Sequence, residues 1–249
     1  MTPVVRLRNA VALAGRFPAL AGVNLMVSLG EVVVLTGPNG AGKTSLLRVC
    51  GGLLPVTEGE VSVLGCDLRR DRSSVRRLVA LLGHSSAVYD DLTVSENVRF
   101  ALRASGSAHA DVPEALSRVG LVGRLAKTPA SRLSAGQRKR IALAVLAARR
   151  PPLWLLDEPH AGLDVSARAL LSELVNEAVR DGATVLVASH EVAVSAELAG
   201  RVVRMAGGKV VDEPPGYRPQ HEQADPSCGE SAPVSVLGQT ASRGGVHVA

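Results

Sequence analysis

The sequence predicts an α/β fold: a mostly parallel sheet covered on both faces, joined by an antiparallel β layer and a helical insertion. Three observations predict it. First, short apolar runs stand at residues 31–36 (EVVVLT), 153–156 and 184–188, each followed by a polar or Gly-rich turn and a helical segment. Runs without a polar face belong to strands buried on both sides, and strand–helix alternation builds a parallel sheet. Second, residues 92–150 switch to helical patterning alone. Third, the N-terminal stretch 4–29 and the run 60–64 have strand character with no helix between strands, which suits an antiparallel layer.

Taken in chain order, the strand at 31–36 ends at a Gly-rich turn, and helical character resumes at 44–50. Within 92–150, helices are predicted at 95–105, 113–119 and 135–148, with Ser95 as an N-cap and Pro113 in a first turn. After the strand at 153–156, Leu170, Leu171, Leu174, Val175 and Ala178 recur at helical spacing. These elements define one domain over 1–212, with a helical subdomain at about 85–150. From Glu213 the composition shifts to Pro, Gly, Ser and polar residues, with Pro214, Pro215, Pro219, Pro226 and Pro233 scattered and no apolar period. Such a stretch buries too little apolar surface to order itself, so 213–249 reads as a disordered tail. No internal repeat is present.

Composition narrows the function. With 249 residues, 46% hydrophobic and 20% charged, the chain is long enough for a substantial core. Its longest apolar stretch, 141–148, is flanked by Arg138, Lys139, Arg140, Arg149 and Arg150, far short of the roughly 20 residues that cross a bilayer. The first residues lack a secretory pattern, so the expectation is a chain that neither spans a membrane nor is secreted. Cys50, Cys66 and Cys228 stand far apart and read as reduced thiols, not a metal site or disulfide frame. The net charge of +5 comes from scattered arginines, and only 2% of residues are aromatic, so no nucleic-acid partner is expected.

Gly37-Pro38-Asn39-Gly40-Ala41-Gly42-Lys43-Thr44, followed by Ser45, matches GxxxxGK[ST] between a strand and a helix. Glycines let the backbone turn its N–H groups inward on phosphate oxygens, and the helix N-terminus adds about half a positive charge. Lys43 is placed to reach the β- and γ-phosphates of ATP, and the Thr44 hydroxyl to ligate Mg2+. Asp157 and Glu158 close the apolar run 153–156, so Asp157 can hold Mg2+ through its water shell while Glu158 polarises the attacking water. Leu133-Ser134-Ala135-Gly136-Gln137 opens a helix with a serine and small residues, a second anion site built from a hydroxyl, backbone N–H groups and a helix dipole.

In this order the motifs resemble the P-loop ATPases of ABC transporters over residues 4–212, with Ala135 where the LSGGQ pattern has its first glycine. The resemblance implies a head-to-tail dimer in which Ser134, Gly136 and Gln137 complete the γ-phosphate site of the opposite subunit. It also implies that Gly162-Leu163-Asp164 lies along the dimer seam and that His190 contacts the γ-phosphate. Residues 82–93 fall where the family carries a glutamine that touches Mg2+, yet Gly83-His84-Ser85 has none, leaving His84 or Ser85 as substitutes. Phe17 is the candidate for stacking on adenine, about three residues later than the family places its aromatic, with a plain core phenylalanine as the alternative.

Pro152-Leu153-Trp154-Leu155-Leu156-Asp157-Glu158-Pro159, the LSAGQ variant and residues 91–97 (DLTVSEN) look like the ATPase subunit of the haem exporter of cytochrome c maturation. That likeness implies an integral membrane transporter subunit as partner and a cytoplasmic position, peripheral at the inner face of the cell membrane. The alternatives are an exporter of another substrate and a non-transport ABC ATPase. Against the latter, the chain carries one ATPase module, and about 90 residues without heptads or CxxC pairs separate the phosphate loop from Ser134.

Overall fold

The computed structural model describes residues 3–83, 88–190 and 200–212. An antiparallel sheet of order β2-β1-β4-β5 contains β1 (Val5–Ala14), β2 (Phe17–Val27), β4 (Glu58–Val63) and β5 (Cys66–Asp67). The second sheet, of order β10-β9-β3-β8-β7-β6, contains β3 (Val32–Thr36), β6 (Val79–Leu82), β7 (Leu153–Asp157), β8 (Thr184–Ala188), β9 (Arg201–Ala206) and β10 (Lys209–Asp212). All its pairings are parallel except the β9–β10 edge. β5, β6, β9 and β10 were not anticipated. β9 places the exposed Arg204 between the buried Val203 and Met205, so it does not read as the continuous apolar run of a central strand.

The pleat of the parallel strands divides the core in two, because successive side chains point to opposite faces. Val33, Leu35, Leu153, Leu155 and Leu186 pack with the antiparallel sheet and α1 (Lys43–Cys50). Their neighbours Val34, Trp154, Leu156, Val185 and Val187 pack with α2 (Val94–Ala104), α3 (Val112–Arg118), α4 (Ala135–Arg149) and α5 (Val165–Arg180). This two-sided burial is why 153–156 and 185–188 are apolar throughout. It also fixes Asp157 and Ala188 at strand ends that point towards α1.

The helical block agrees with expectation except at one cap. α2 is capped by Thr93, not Ser95: the Thr93 side chain accepts from the Glu96 N–H at 3.3 Å, and Glu96 accepts from the Thr93 N–H at 2.8 Å. Ser95 lies inside the first turn, and the reciprocal box requires an acid three residues after the cap, which only Thr93 has. Pro113 does lie in the first turn of α3, after the cap Asp111.

Cys50 and Cys66 are free thiols, while Cys228 and the tail 213–249 lie outside the described residues. Cys50 is buried at the end of α1, and burial pushes its thiol up from 9.0 to about 12. A folded-state value above the unfolded one contributes stability that is complete below pH 9.0 and is lost as pH rises towards 12. Native protein at about pH 8 should therefore leave Cys50 unalkylated, because the thiolate is the reactive species. Iodoacetamide labelling followed by peptide mapping checks this, and modification as fast as in the unfolded chain would refute it.

Candidate active site

β3 ends at Thr36, and the chain turns through 37–42 before α1 begins at Lys43. Two glycines make that turn possible. At Gly37, φ is 137° and a Cβ would sit 2.1 Å from the Met205 carbonyl oxygen; at Gly42, φ is 101° and a Cβ would sit 2.7 Å from that of Ala19. Both the left-handed backbone and the close approach exclude any side chain. No side chain caps the start of α1 and no acid lies in its first turn, so its leading N–H groups are left for an anion. Lys43 is buried, with Nζ donating to the Gly37 carbonyl at 2.7 Å and the Pro38 carbonyl at 3.1 Å.

Across from this loop, β7 delivers Asp157, whose Oδ1 accepts from the Thr44 hydroxyl at 2.9 Å. These are two hard oxygen donors at the helix N-terminus. Such a set suits Mg2+, which keeps several waters and takes few protein ligands. Among the described residues, no group of three or more His, Cys, Asp and Glu could hold a metal ion. Glu158 follows with φ of 48°, its N–H donating to the Ala188 carbonyl at 2.9 Å. The carboxylate Oε2 lies 2.9 Å from Nδ1 of His190, two residues past the end of β8. A cleft of about 490 Å3 is lined by residues 39–45, Asp157, Glu158 and His190, together with Ala19 and Ala161.

Other predicted site residues stand apart. Ser134 caps α4, its hydroxyl accepting from the Gln137 N–H at 3.2 Å while Gln137 Oε1 accepts from the Ser134 N–H at 3.0 Å. Neither residue lines the cleft, nor does Gly136, which faces Gly162: a Cβ there would meet the Gly162 carbonyl oxygen at 3.9 Å. Asp164 caps α5 by accepting from the Ala167 N–H at 2.7 Å, and that bond is the main reason its carboxyl is held below the usual range. Phe17 is 78% exposed at the start of β2 and does not line the cleft either, so the core alternative is excluded. His84 and Ser85 lie outside the described residues.

Some contributors had not been anticipated. Gly208, in the β9–β10 turn, donates its N–H to the Ala41 carbonyl at 3.0 Å and accepts from the Ala21 N–H at 2.8 Å, backing the loop from outside. Lys139 is only 5% exposed, and its Nζ donates to the carbonyls of Ala161 at 2.8 Å and Glu158 at 3.2 Å. Burial lowers its ammonium from the ordinary lysine value, with the Glu158 charge acting in the opposite sense. In the sequence it sits within Arg138-Lys139-Arg140, a run that reads as a solvated face.

A strand-to-helix loop with this backbone takes a nucleoside triphosphate, and a helical block inserted ahead of the acidic strand end narrows the class. The chain belongs to the ABC transporter family, whose model matches residues 20–161, and it is an ATP-binding, ATP-hydrolysing cassette of that family. Among its relatives are proteins named cytochrome c biogenesis ATP-binding export protein CcmA. The one from Cupriavidus pinatubonensis is 40% identical over 190 residues, covering 76% of this chain and 84% of that protein. That from Paraburkholderia xenovorans is 40% identical over 202 residues, covering 74% and 88%. That from Methylococcus capsulatus is 42% identical over 172 residues, covering 68% and 83%.

Solved structures agree on the fold. A dimeric ATP-binding cassette in a post-hydrolysis state, bound to ADP and Pi, superposes with TM-score 0.74 at 29% identity, covering 84% of this chain and 97% of that one. An ATP-binding subunit of an ABC transporter gives 0.76 at 26% identity, covering 84% and 89%. Among the described residues, no helix is long and apolar enough to cross a membrane.

Proposed function

We propose that this chain is the motor of a haem exporter serving cytochrome c biogenesis, driving a separately encoded integral membrane subunit from the inner face of the membrane. The cargo reading is supported by the CcmA relatives at about 40% identity. The observation that carries the motor reading is the pairing of Thr44 with Asp157 and of Glu158 with His190 around one cleft. In this reading residues 1–212 form the ATPase domain, with its helical subdomain at about 85–150, and 213–249 form a disordered tail outside it.

Each residue then has a task. The N–H groups of residues 39–45 cradle the phosphates, and the Lys43 ammonium turns from its own loop carbonyls to the β- and γ-phosphates. Mg2+ held by Thr44 and Asp157 would neutralise charge on those phosphates. Glu158 accepts a proton from the attacking water, and His190 orients Glu158 and the γ-phosphate. Ser134, Gly136 and Gln137, turned away from the chain's own cleft, fit a site completed by a second copy in head-to-tail arrangement. Closure then needs ATP in both sites, and hydrolysis releases it.

Two experiments test this. Affinity purification from detergent-solubilised membranes should bring down an integral membrane protein, and its absence would remove the transporter reading. Deletion of the gene should abolish haem attachment to c-type cytochromes on haem-stained gels, and normal staining would remove the cargo. Phe17, exposed two residues before the cleft-lining Ala19, is assigned to adenine stacking. Phe17→Ala should weaken ATP affinity about 5- to 150-fold, the loss of a stacking contact of roughly 1–3 kcal/mol. Unchanged affinity by fluorescent-nucleotide titration would leave adenine without this partner.

A further inference from the structure

Three successive basic residues at the start of α4 go to three different places. Arg138 pairs with Asp90, ahead of α2, at 2.5 Å; Arg140 reaches Asp164, the cap of α5, at 3.4 Å; and Lys139 turns inward to the loop after β7. We propose that Lys139 is a positioning residue for Glu158: its ammonium ties the Glu158 and Ala161 carbonyls together and holds the turn from which the Glu158 carboxylate meets His190. The proposal rests on the reading of Glu158 as the base.

The turn needs such a hold. Glu158 sits at φ 48°, a region costly for a residue with a Cβ, and such backbone persists only when its surroundings over-determine it. Its N–H is fixed to Ala188 on β8, and its carbonyl accepts from the Ala161 N–H at 3.2 Å as well as from Lys139. A lysine at 5% exposure with no carboxylate among the described residues bonded to its ammonium is costly to bury, and its two carbonyl acceptors are what offset that cost. An apolar side chain would fill the space but leave both carbonyls without the ammonium. Lys139 does not line the cleft, so it acts through Glu158 and not on the nucleotide. Because it stands on the first turns of α4, just after Ser134 and Gln137, it also joins the helix that faces a second copy to the residue that activates water.

Steady-state hydrolysis of Mg-ATP by the purified full-length chain tests this, with Lys139→Met, Lys139→Gln and Lys139→Arg made in both the Glu158 and Glu158→Gln backgrounds. Lys139→Met should lower kcat about 10- to 100-fold, the scale of a reacting group misplaced by about 1 Å, with KM for ATP within roughly 2-fold. Lys139→Arg, which keeps charged donors, should recover most of the rate. In the Glu158→Gln background Lys139→Met should cost nothing further. The proposal is overturned if Lys139→Met turns over at the wild-type rate per bound nucleotide, or if the same fold loss recurs in both backgrounds. If Lys139→Met does not fold, Lys139→Gln, with a shorter neutral donor, is expected to fall between Met and Arg, and wild-type kcat in it overturns the proposal equally. A wild-type chain without turnover, or full hydrolysis by Glu158→Gln, strikes instead at the reading of Glu158 on which this rests.

Discussion

Lys43→Ala should lose nucleotide binding by roughly 30- to 5,000-fold, because truncating one partner of a buried, hydrogen-bonded charge pair costs about 2–5 kcal/mol. The side chain is buried at the start of α1, and its Nζ already lies on the loop, bonded to the Gly37 and Pro38 carbonyls. Swinging to a triphosphate exchanges two neutral acceptors for charged ones, so the gain is specific to the bound state. Alanine removes that gain, and among the described residues no other lysine or arginine lines the cleft. Titration of the purified variant with a fluorescent ATP analogue gives the result directly. Wild-type affinity would mean that the loop does not bind phosphate in the way argued.

Glu158→Gln separates binding from chemistry. Glutamine keeps the size and reach of the side chain but cannot accept the water proton, and a positioned base contributes roughly 10²- to 10⁴-fold. Hydrolysis should fall by that factor while ATP affinity stays near wild type, since Lys43, Thr44 and the turn 37–42 are untouched. If two copies share their sites, Mg-ATP should then hold the variant as a dimer on size-exclusion chromatography. Rapid hydrolysis by this variant would remove Glu158 from the mechanism. A variant that stays monomeric under saturating Mg-ATP, with its membrane partner present, would remove the shared site.

The parts of the fold that were legible from sequence are those where one physical demand acts alone. β7 and β8 are buried on both faces, so 153–156 and 185–188 show no polar residue, and α5 shows its period because one face meets the sheet. β9 and β10 lie towards an edge, where exposed and buried positions alternate over a few residues, and they passed unnoticed. Ser95 was mistaken for the α2 cap because both Thr93 and Ser95 are good caps by type, and only the acid at position 96 distinguishes them.

The candidate site divides similarly. Residues 37–45 form a contiguous cradle whose local backbone demands glycine, so the sequence displays it. The approach of His190 to Glu158 and of Asp157 to Thr44 depends on strand order; the first was expected only through the family resemblance, the second through the Mg2+ that both oxygens suit. Nothing local marks Lys139, since a lysine between two arginines on a helix normally faces water, and only the tertiary packing of α4 against the turn after β7 buries it.

The contact of Gly208 with Ala41 and Ala21, and the press of the Met205 carbonyl against Gly37, have a practical meaning for anyone trimming this protein. A fragment ending after β8 would still carry every residue of the GxxxxGKT motif, yet the wall behind it would be missing. The shortest useful expression boundary therefore lies beyond residue 208, well past the last position of the recognisable family match at 161.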